Sequence, residues 1–385
     1  MNKPKLRVLH VLGELKPSGA ETMLVAAADQ FRAHGIEAEV LSIGKSTGPY
    51  AEQFKEAGYR IHHLPFSRSP SFFLRERKLM AAGQYDVIHL HGEGANFWHG
   101  LTAQSTRPGV VLRTIHNAFA FRGNLQWRRG VQRRILHRLG VQHVAISASV
   151  QQTETMHYRL PTYLVWNWYN SRRFVGTSPN QQQAARQQLK IAEHDYVIAS
   201  IGNCSPVKNH EAIIHALAKL PTAQRPIYLH AGLEQADCPE QILAKRLGVA
   251  DRIRFLGGVK DVLPMLQAAD LFVMPSLYEG FGIAAIEALA TGLPAVFSDV
   301  AGLRDFRNDF PELIYCGTTA DEVQVALLKA MQMDVAQRQR IAQDYPQIAL
   351  RRFGMERGVA EYVALYRKHQ SARNNTVTDV HGATS

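Results

Sequence analysis

Residues 270–288 read DLFVMPSLYEGFGIAAIEA and decide the fold of this chain. The segment DLFVM predicts a buried strand that ends at a Pro-Ser turn, and IAAIEA predicts a helix that begins after a Gly-broken loop. The first amides of such a helix lack intrahelical partners and attract anions. Glu279 in the loop and Glu287 about two turns into the helix lie on roughly one face, where they can accept hydrogen bonds from hydroxyls. Phosphate-binding amides beside two hydroxyl-binding carboxylates predict a nucleotide-sugar site, although glutamates near a helix start also simply suit the helix dipole.

Short apolar strands alternate with helical patterns along the whole chain. Predicted strands cover residues 6–12, 38–43, 60–64, 86–90, 110–115, 143–147, 196–202, 226–232, 252–257, 270–274 and 294–298. Near-continuous apolar strands separated by helices are typical of parallel sheets that are covered on both faces. Two such sets predict an α/β protein with two doubly wound, Rossmann-like domains that face a cleft.

The predicted domains follow from where the composition changes. The first domain covers residues 1–170 and the second covers 171–350, because the polar, Gln-rich stretch near 168–190 separates two sets of strands. Residues 351–370 predict a closing helix that returns to the first domain. Residues 371–385 have no apolar period and are predicted to be a disordered tail.

The basic charge of the chain is concentrated in its first half. The net charge is +11, and no Asp or Glu occurs from Gly94 to Thr153. This half is therefore expected to meet a negatively charged partner. One helix in it is predicted to be amphipathic, with an apolar stripe of Leu125, Val131, Ile135, Leu136 and Leu139. Its other side carries Arg129, Arg133 and Arg134, and Arg128 and Arg138 lie at the edges; Arg128, Arg129, Arg133 and Arg134 are the residues predicted to meet a membrane or acceptor. Such a helix suits an anionic lipid surface, and the alternative is a core-packed helix with a solvated basic face.

Several classes of protein are disfavoured by the sequence. The three cysteines are scattered, which predicts no disulfide framework and fits a reducing cytoplasm. No apolar run reaches the length of a membrane-spanning helix. Basic charge alone does not predict nucleic-acid binding, because no recognised module is present. His89 and His91 have no acidic partner at a ligand spacing, so no metal site is predicted.

The loop and helix that follow the predicted strand at 270–274 carry a longer sequence pattern that is found in a known family. Glu279 and Glu287 enclose seven residues that begin Gly-Phe-Gly, and Ala-x-Gly-x-Pro-Ala-Val follows at 290–296. This pattern resembles the signature of glycosyltransferase family 4 (group 1), a family of retaining enzymes with the GT-B fold. The resemblance covers about residues 5–370.

The resemblance implies roles for individual residues. The implied catalytic residues are Glu279, His116 and Lys208. The implied donor-binding residues are Gly19, Asn203, Lys208, Val259, Glu279, Gly280, Phe281, Gly282 and Glu287. Asn203 stands where the family carries an arginine, and Ser18 precedes Gly19 where the family often has a second glycine.

The resemblance also implies a function. We expect a hexosyl unit to move, with retention, from a nucleotide diphosphate sugar, UDP-sugar by default, to a glycan or lipid-linked acceptor in bacterial surface polysaccharide synthesis. The chain has no Asp-x-Asp motif, so we expect no metal and no other cofactor. The expected location is the cytoplasmic face of the inner membrane. The alternatives are a nucleotide-sugar 2-epimerase of the same fold and a noncatalytic sugar-binding relative.

Overall fold

The computed structural model describes residues 5–93, 96–118 and 121–381, without the side chains of 223 and 371–381. The chain divides into two compact units. Unit 1 comprises Met1–Trp168 and Met355–Ser385, and unit 2 comprises Tyr169–Gly354. The predicted boundaries lie after residues 170 and 350.

Strands and helices alternate from one end of the chain to the other. The strands are β1 Leu6–Leu12, β2 Ile36–Ser42, β3 Arg60–His63, β4 Val87–Leu90, β5 Val110–Ile115, β6 Gln142–Ala145, β7 Tyr163–Leu164, β8 Val197–Ile201, β9 Ile227–Ala231, β10 Ile253–Phe255, β11 Leu271–Met274, β12 Ala295–Ser298 and β13 Ile314–Cys316. The helices are α1 Gly19–Ala33, α2 Ala51–Glu56, α3 Pro70–Ala82, α4 Asn96–Ser105, α5 Gly123–Arg138, α6 Ala148–Tyr158, α7 Pro179–Gln188, α8 His210–Lys219, α9 Pro239–Arg246, α10 Leu263–Ala268, α11 Ile283–Ala290, α12 Ala320–Met331, α13 Val335–Phe353 and α14 Met355–His381.

Each unit is built on one parallel sheet. The sheet of unit 1 has the order β3-β2-β1-β4-β5-β6-β7, and that of unit 2 has the order β10-β9-β8-β11-β12-β13. The direction of winding reverses between β1 and β4 in unit 1 and between β8 and β11 in unit 2. Ligands of doubly wound sheets bind beyond the carboxyl ends of strands at such a reversal. The two Rossmann-like units confirm the predicted fold class.

All eleven predicted strands occur, with ends that differ by at most two residues from the prediction. β7 and β13 were not predicted, because two or three residues at the edge of a sheet are too few to show a period. The strands carry continuous apolar runs since helices cover both faces of each sheet. The core of unit 1 includes Leu9, Ile88 and Val111, and that of unit 2 includes Ile198, Leu271 and Val296.

The last helix belongs to unit 1. α14 packs against α1 and β5, and its Tyr362 and Tyr366 are buried there. α14 continues to His381, whereas a disordered tail was predicted from residue 371. No Gly or Pro occurs from 359 to 381 to end the helix. The remaining four residues of the predicted tail lie outside the described residues.

Hydropathy along the helices bears on membrane association. Within the described residues, no helix combines the length and the apolar character that crossing a bilayer requires.

Candidate functional site

The loop between β11 and α11 holds Glu279 in a fixed position. Lys208 Nζ lies 2.5 Å from Glu279 Oε1, and Ser276 Oγ donates to the same oxygen at 2.9 Å. Ser298 Oγ in turn donates to the Ser276 carbonyl at 2.5 Å. Lys208 follows β8, Ser276 follows β11 and Ser298 ends β12, so three neighbouring strand ends support one carboxylate. The structure thus brings together the two residues of unit 2 that were predicted to be catalytic.

Two glycines shape this loop. Gly282 is the N-cap of α11 with a φ of +87°, a conformation that side chains rarely adopt. Gly302 has a φ of +82°, and a Cβ there would lie 2.7 Å from the Glu279 carbonyl oxygen and 2.9 Å from the Phe281 nitrogen. The turn after β12 therefore packs directly on the backbone that carries Glu279, Gly280 and Phe281.

Phe281 contributes to the core and not to a binding surface. Its side chain is buried, and its ring centroid lies 5.1 Å from that of Phe306 and 5.6 Å from that of Phe353. The role implied for Phe281 can therefore belong to its backbone alone. The aromatic packing anchors the start of α11 so that the Gly-Phe-Gly turn keeps its shape.

Glu287 lies on α11, beyond the loop, and is largely buried. Burial raises the pKa of Glu287 to about 8, and the charge of Arg173 lowers it in part. Arg173 forms an ion pair with Asp261. Asp261 Oδ1 also accepts a hydrogen bond from the Leu263 nitrogen at 2.8 Å. Arg173 therefore connects the surroundings of Glu287 with the loop that follows β10 and contains Val259.

Val259 is exposed in that loop. Its nitrogen donates to the Gly257 carbonyl at 3.0 Å, so the loop is a tight turn after β10. Gly257 has a φ of +67°, which favours glycine at this point. The donor-binding role implied for Val259 stays a prediction.

Asn203 and Asn209 flank Lys208 in the segment between β8 and α8. Asn203 Oδ1 accepts from the Leu233 nitrogen at 2.9 Å, so this side chain supports the neighbouring β9 loop. Asn209 adopts φ +57° and donates through Nδ2 to the Pro275 carbonyl at 3.0 Å and the Thr318 carbonyl at 2.9 Å. Asn209 thus ties the segment of Lys208 to the end of β11. An amide at 203 supplies no positive charge, so Lys208 is the cationic side chain of this segment.

In unit 1, Gly19 and His116 lie near the carboxyl ends of β1 and β5. Gly19 is the first residue of α1, and Ser18 donates to Glu21 in the first turn. His116 directly follows β5, and burial lowers its pKa to about 4. Its Nε2 has no hydrogen-bond partner among the described residues. His116 also lines a small cavity together with Ala20 of α1.

The prediction that Arg133 lies on an outward basic face of α5 is wrong. The Arg133 side chain is buried, and its Nε donates to Glu154 Oε2 at 2.9 Å while Nη2 donates to Glu93 Oε1 at 2.9 Å. Arg113 of β5 donates to the other Glu93 oxygen at 2.7 Å. The guanidinium carbon of Arg133 also lies 4.3 Å from the centroid of the Tyr158 ring. A buried arginine with two carboxylate partners cannot face a membrane.

The other residues of the predicted helix face are also partly exposed and partly buried. Arg128 and Arg134 are exposed, whereas Arg129 is half-buried with its guanidinium carbon 5.5 Å from the Phe121 ring centroid. Leu136, which was placed in the apolar stripe, lies in the core of unit 1. The outward face instead carries a mixture of basic and apolar side chains: Leu125, Trp127, Arg128, Arg134, Ile135, Arg138 and Leu139.

Sequence reasoning missed three residues that support these positions. Ser276 was quoted only as part of a turn, although a hydroxyl three residues before a glutamate is a signal for a local hydrogen bond. Glu93 and Arg173 carry no such signal, because their partners are 20 to 88 residues away in the chain. Only the parallel arrangement of strands brings these partners together.

Two family models match the chain, and together they span most of it. The model described as glycosyltransferase family 4 matches residues 17–173, and the model described as glycosyl transferases group 1 matches residues 181–345. The first match covers most of the N-terminal segment of unit 1, and the second lies within unit 2.

Similar proteins are glycosyltransferases. The chain is 26% identical over 315 residues to the putative glycosyltransferase EpsF of Bacillus subtilis, covering 78% of this chain and 80% of that protein. It is 32% identical over 156 residues, 40% of each chain, to the lipopolysaccharide glucosyltransferase WaaG of Escherichia coli. The crystal structure of HepE from Anabaena in complex with UDP and glucose matches with a TM-score of 0.79 at 20% identity, covering 94% of this chain and 100% of that chain. The chain therefore belongs to the group 1 glycosyltransferases of family 4, and its fold is GT-B.

Proposed function

We propose that this glycosyltransferase moves a hexosyl unit from a UDP-sugar to a glycan or lipid-linked acceptor in the synthesis of a bacterial surface polysaccharide. The observation that carries this proposal is the arrangement of Lys208, Glu279 and Glu287 around the loop between β11 and α11. The donor class is supported by HepE, whose crystal structures contain UDP with glucose and UDP-glucose. The pathway is supported by the similarity to WaaG, a lipopolysaccharide glucosyltransferase.

The proposed roles of the three residues follow from their chemistry. Lys208 binds the diphosphate because an ammonium group neutralises phosphate oxygens as a point charge. Glu279 accepts hydrogen bonds from sugar hydroxyls, and Glu287 accepts them from the ribose. Charge that develops on the leaving diphosphate is stabilised by Lys208 and by amides at the start of α11, in the manner of preorganised electrostatic catalysis.

The proposed reaction retains the anomeric configuration and needs no metal. The acceptor hydroxyl attacks on the face from which the diphosphate departs, and the departing diphosphate takes the acceptor proton. The bond that forms joins the anomeric carbon to the acceptor oxygen, and the bond that breaks joins that carbon to the β-phosphate oxygen. His116 of unit 1 is proposed to bind the sugar through a hydroxyl, since its Nε2 has no partner among the described residues.

We also propose that unit 1 associates peripherally with an anionic membrane surface through the outward face of α5. Trp127, Ile135 and Leu139 supply exposed apolar area, and Arg128, Arg134 and Arg138 flank it with positive charge. Apolar and basic side chains on one exposed helix face suit the boundary between headgroups and acyl chains. A lipid-linked acceptor would be reached from this position.

Product analysis tests the proposed function. The purified chain is incubated with UDP-, GDP- or ADP-sugars, and nucleotide release and the stereochemistry of the new linkage are followed by chromatography and NMR. We expect UDP release with a retained anomeric configuration, and stabilisation of the fold by UDP above GDP and ADP, because a ligand stabilises the state that binds it. Conversion of the donor to its 2-epimer without transfer, or inversion at the anomeric carbon, would contradict the proposal.

A further inference from the structure

Three histidines meet on one face of the sheet of unit 1. His10 of β1 is the register partner of His89 of β4, and His91 lies two residues further along on the same face. The ring centroid of His10 lies 5.3 Å from that of His89 and 5.2 Å from that of His91. His89 and His91 have ring centroids 4.1 Å apart. His10 is far from the other two histidines in the sequence, so local spacing does not reveal this cluster.

The ring nitrogens are close enough to share one ion. His10 Nδ1 and His91 Nε2 lie 3.0 Å apart. One nitrogen from each of the three rings lies within 4.8 Å of the other two. Nitrogen ligands about 2.0–2.1 Å from a tetrahedral metal lie roughly 3.3 Å from one another. Modest side-chain rotations would therefore give all three nitrogens the required distance.

The contact between His10 and His91 is an incomplete hydrogen-bond arrangement. If one ring donates to the other, the outer nitrogens, His10 Nε2 and His91 Nδ1, are left as one N–H group and one lone pair. Both outer nitrogens are buried and have no hydrogen-bond partner among the described residues. All three rings line a cavity of about 20 Å³, which has the volume of a water-sized ligand.

His89 is already oriented as a ligand would be. Its Nδ1 lies 2.8 Å from the Tyr366 hydroxyl, and its Nε2 lies 2.7 Å from Thr114 Oγ1. If Nε2 turned to an ion, the Tyr366 hydroxyl would still fix the ring, as outer hydrogen bonds do in metal sites. Thr114 Oγ1 would keep its second partner, the Tyr362 hydroxyl at 2.9 Å. Binding an ion would thus leave no hydroxyl of this group unpaired.

The chemistry of the donor set selects the class of ion. His10 and His89 are buried and His91 is half-buried, and burial favours the neutral form of an imidazole. Neutral imidazole is the form that binds metal. Three nitrogen ligands without a carboxylate suit Zn²⁺, Co²⁺, Ni²⁺ or Cu²⁺, whereas Mg²⁺ and Ca²⁺ require oxygen ligands.

We propose that His10, His89 and His91 form a binding site for one divalent transition-metal ion of the Zn²⁺ class, with a water or hydroxide as its fourth ligand. The site ties β1 to β4 near their carboxyl ends. Its three ligands belong to unit 1, whereas the loop of Glu279 belongs to unit 2. This proposal differs from the expectation that His89 and His91 bind no metal, because the tertiary structure brings His10 beside them.

Metal binding by the full chain tests this proposal without any substrate. The protein is treated with a chelator and its cysteines are blocked, since three thiols would otherwise bind the same ions. Equilibrium dialysis against Zn²⁺ with elemental analysis then gives stoichiometry and affinity, and Co²⁺ reports coordination through its visible absorption. We expect one ion per chain with a Kd of about 1 μM or tighter. We also expect the Co²⁺ spectrum of a four-coordinate, nitrogen-ligated site.

Histidine variants test whether this site, and not another histidine of the chain, binds the ion. His91→Gln and His10→Gln should each weaken binding by about 100-fold or more. His143→Gln is the matched control, because His143 is a buried histidine on β6 whose two ring nitrogens also lack partners among the described residues. If a glutamine variant fails to fold, the wild-type Co²⁺ spectrum decides. No stoichiometric binding by the wild type, or equal loss in His143→Gln, would overturn the proposal while leaving the proposed function untouched.

Discussion

Lys208 Nζ contacts Glu279 Oε1 at 2.5 Å, so the cation assigned to the diphosphate is held by the carboxylate assigned to the sugar. The Glu279 side chain is 10% exposed and the Lys208 side chain is 29% exposed. A bound diphosphate would compete with Glu279 for Lys208, and sugar hydroxyls would replace Lys208 at Glu279. Donor binding is therefore expected to exchange one ion pair for two sets of ligand contacts.

The first prediction concerns this pair. Glu279→Gln and Lys208→Ala should each lower kcat by roughly 100-fold or more, because each removes a preorganised charged contact. Lys219→Ala is the control, since Lys219 forms an exposed ion pair with Asp321 in the same unit. Steady-state kinetics with a UDP-sugar measures the effect, and thermal unfolding checks the fold. Turnover near the wild-type level in both variants would remove the donor-site assignment.

The second prediction concerns metal dependence of the transfer. Activity should persist in excess EDTA, because the chain has no Asp-x-Asp motif and Lys208 is proposed to supply the positive charge at the diphosphate. Initial rates are compared before and after chelation. Loss of activity that Mg²⁺ or Mn²⁺ restores would contradict a metal-independent transfer.

The third prediction concerns membrane association. Changing Arg128, Arg134 and Arg138 together to Gln should weaken binding to anionic vesicles on the order of 100-fold, at about 1 kcal/mol for each arginine near the surface. Rising salt should likewise release the wild type. Co-sedimentation with vesicles measures binding, and UDP release checks that the donor site is intact. Equal binding of wild type and variant at low salt would mean that this face serves solubility.

The fourth prediction compares how Arg133 and its exposed neighbour Arg134 contribute to stability. Arg133→Ala should lower the free energy of unfolding by about 3 kcal/mol or more, because Glu154 would remain buried without its cation. Arg134→Ala, one residue away and exposed, should change it by less than about 0.5 kcal/mol. Denaturant titration of both variants measures the difference. Similar values would show that the buried network of Arg133 contributes little to stability.

The fifth prediction concerns pH. The pKa of Glu287 is about 8 in the folded protein, above its ordinary value of 4.5. Between these pH values the folded state keeps a proton that the unfolded state has lost, so this group contributes stability at low pH that is lost as pH rises through 8. The stability of the wild type should therefore fall relative to Glu287→Gln from about pH 4.5 to 8 and then level off. Denaturant titrations across pH 4–9 test this, and a flat or rising difference would contradict it.

Much of the fold could be predicted from the sequence because its signals are local. Apolar strands such as LRVLHVL at 6–12 and VVLRTI at 110–115 are continuous, and the helices between them are periodic, so fold class and strand positions follow from the pattern. β7 and β13 could not be found because short edge strands form through pairing with a neighbour. The end of α14 was missed because polar composition alone does not show whether a helix continues.

The sequence by itself determined the family, the two sheets and the loop that carries Glu279, because each is encoded by neighbouring residues with fixed spacing. Only the tertiary structure decided which side chains are paired. Parallel pairing of β1 with β4 puts His10 opposite His89. Packing of α5 against α6 turns Arg133 toward Glu154 and away from solvent. Helical periodicity marks one face of α5 as basic, but the burial of a charge depends on whether distant carboxylates arrive to pair with it.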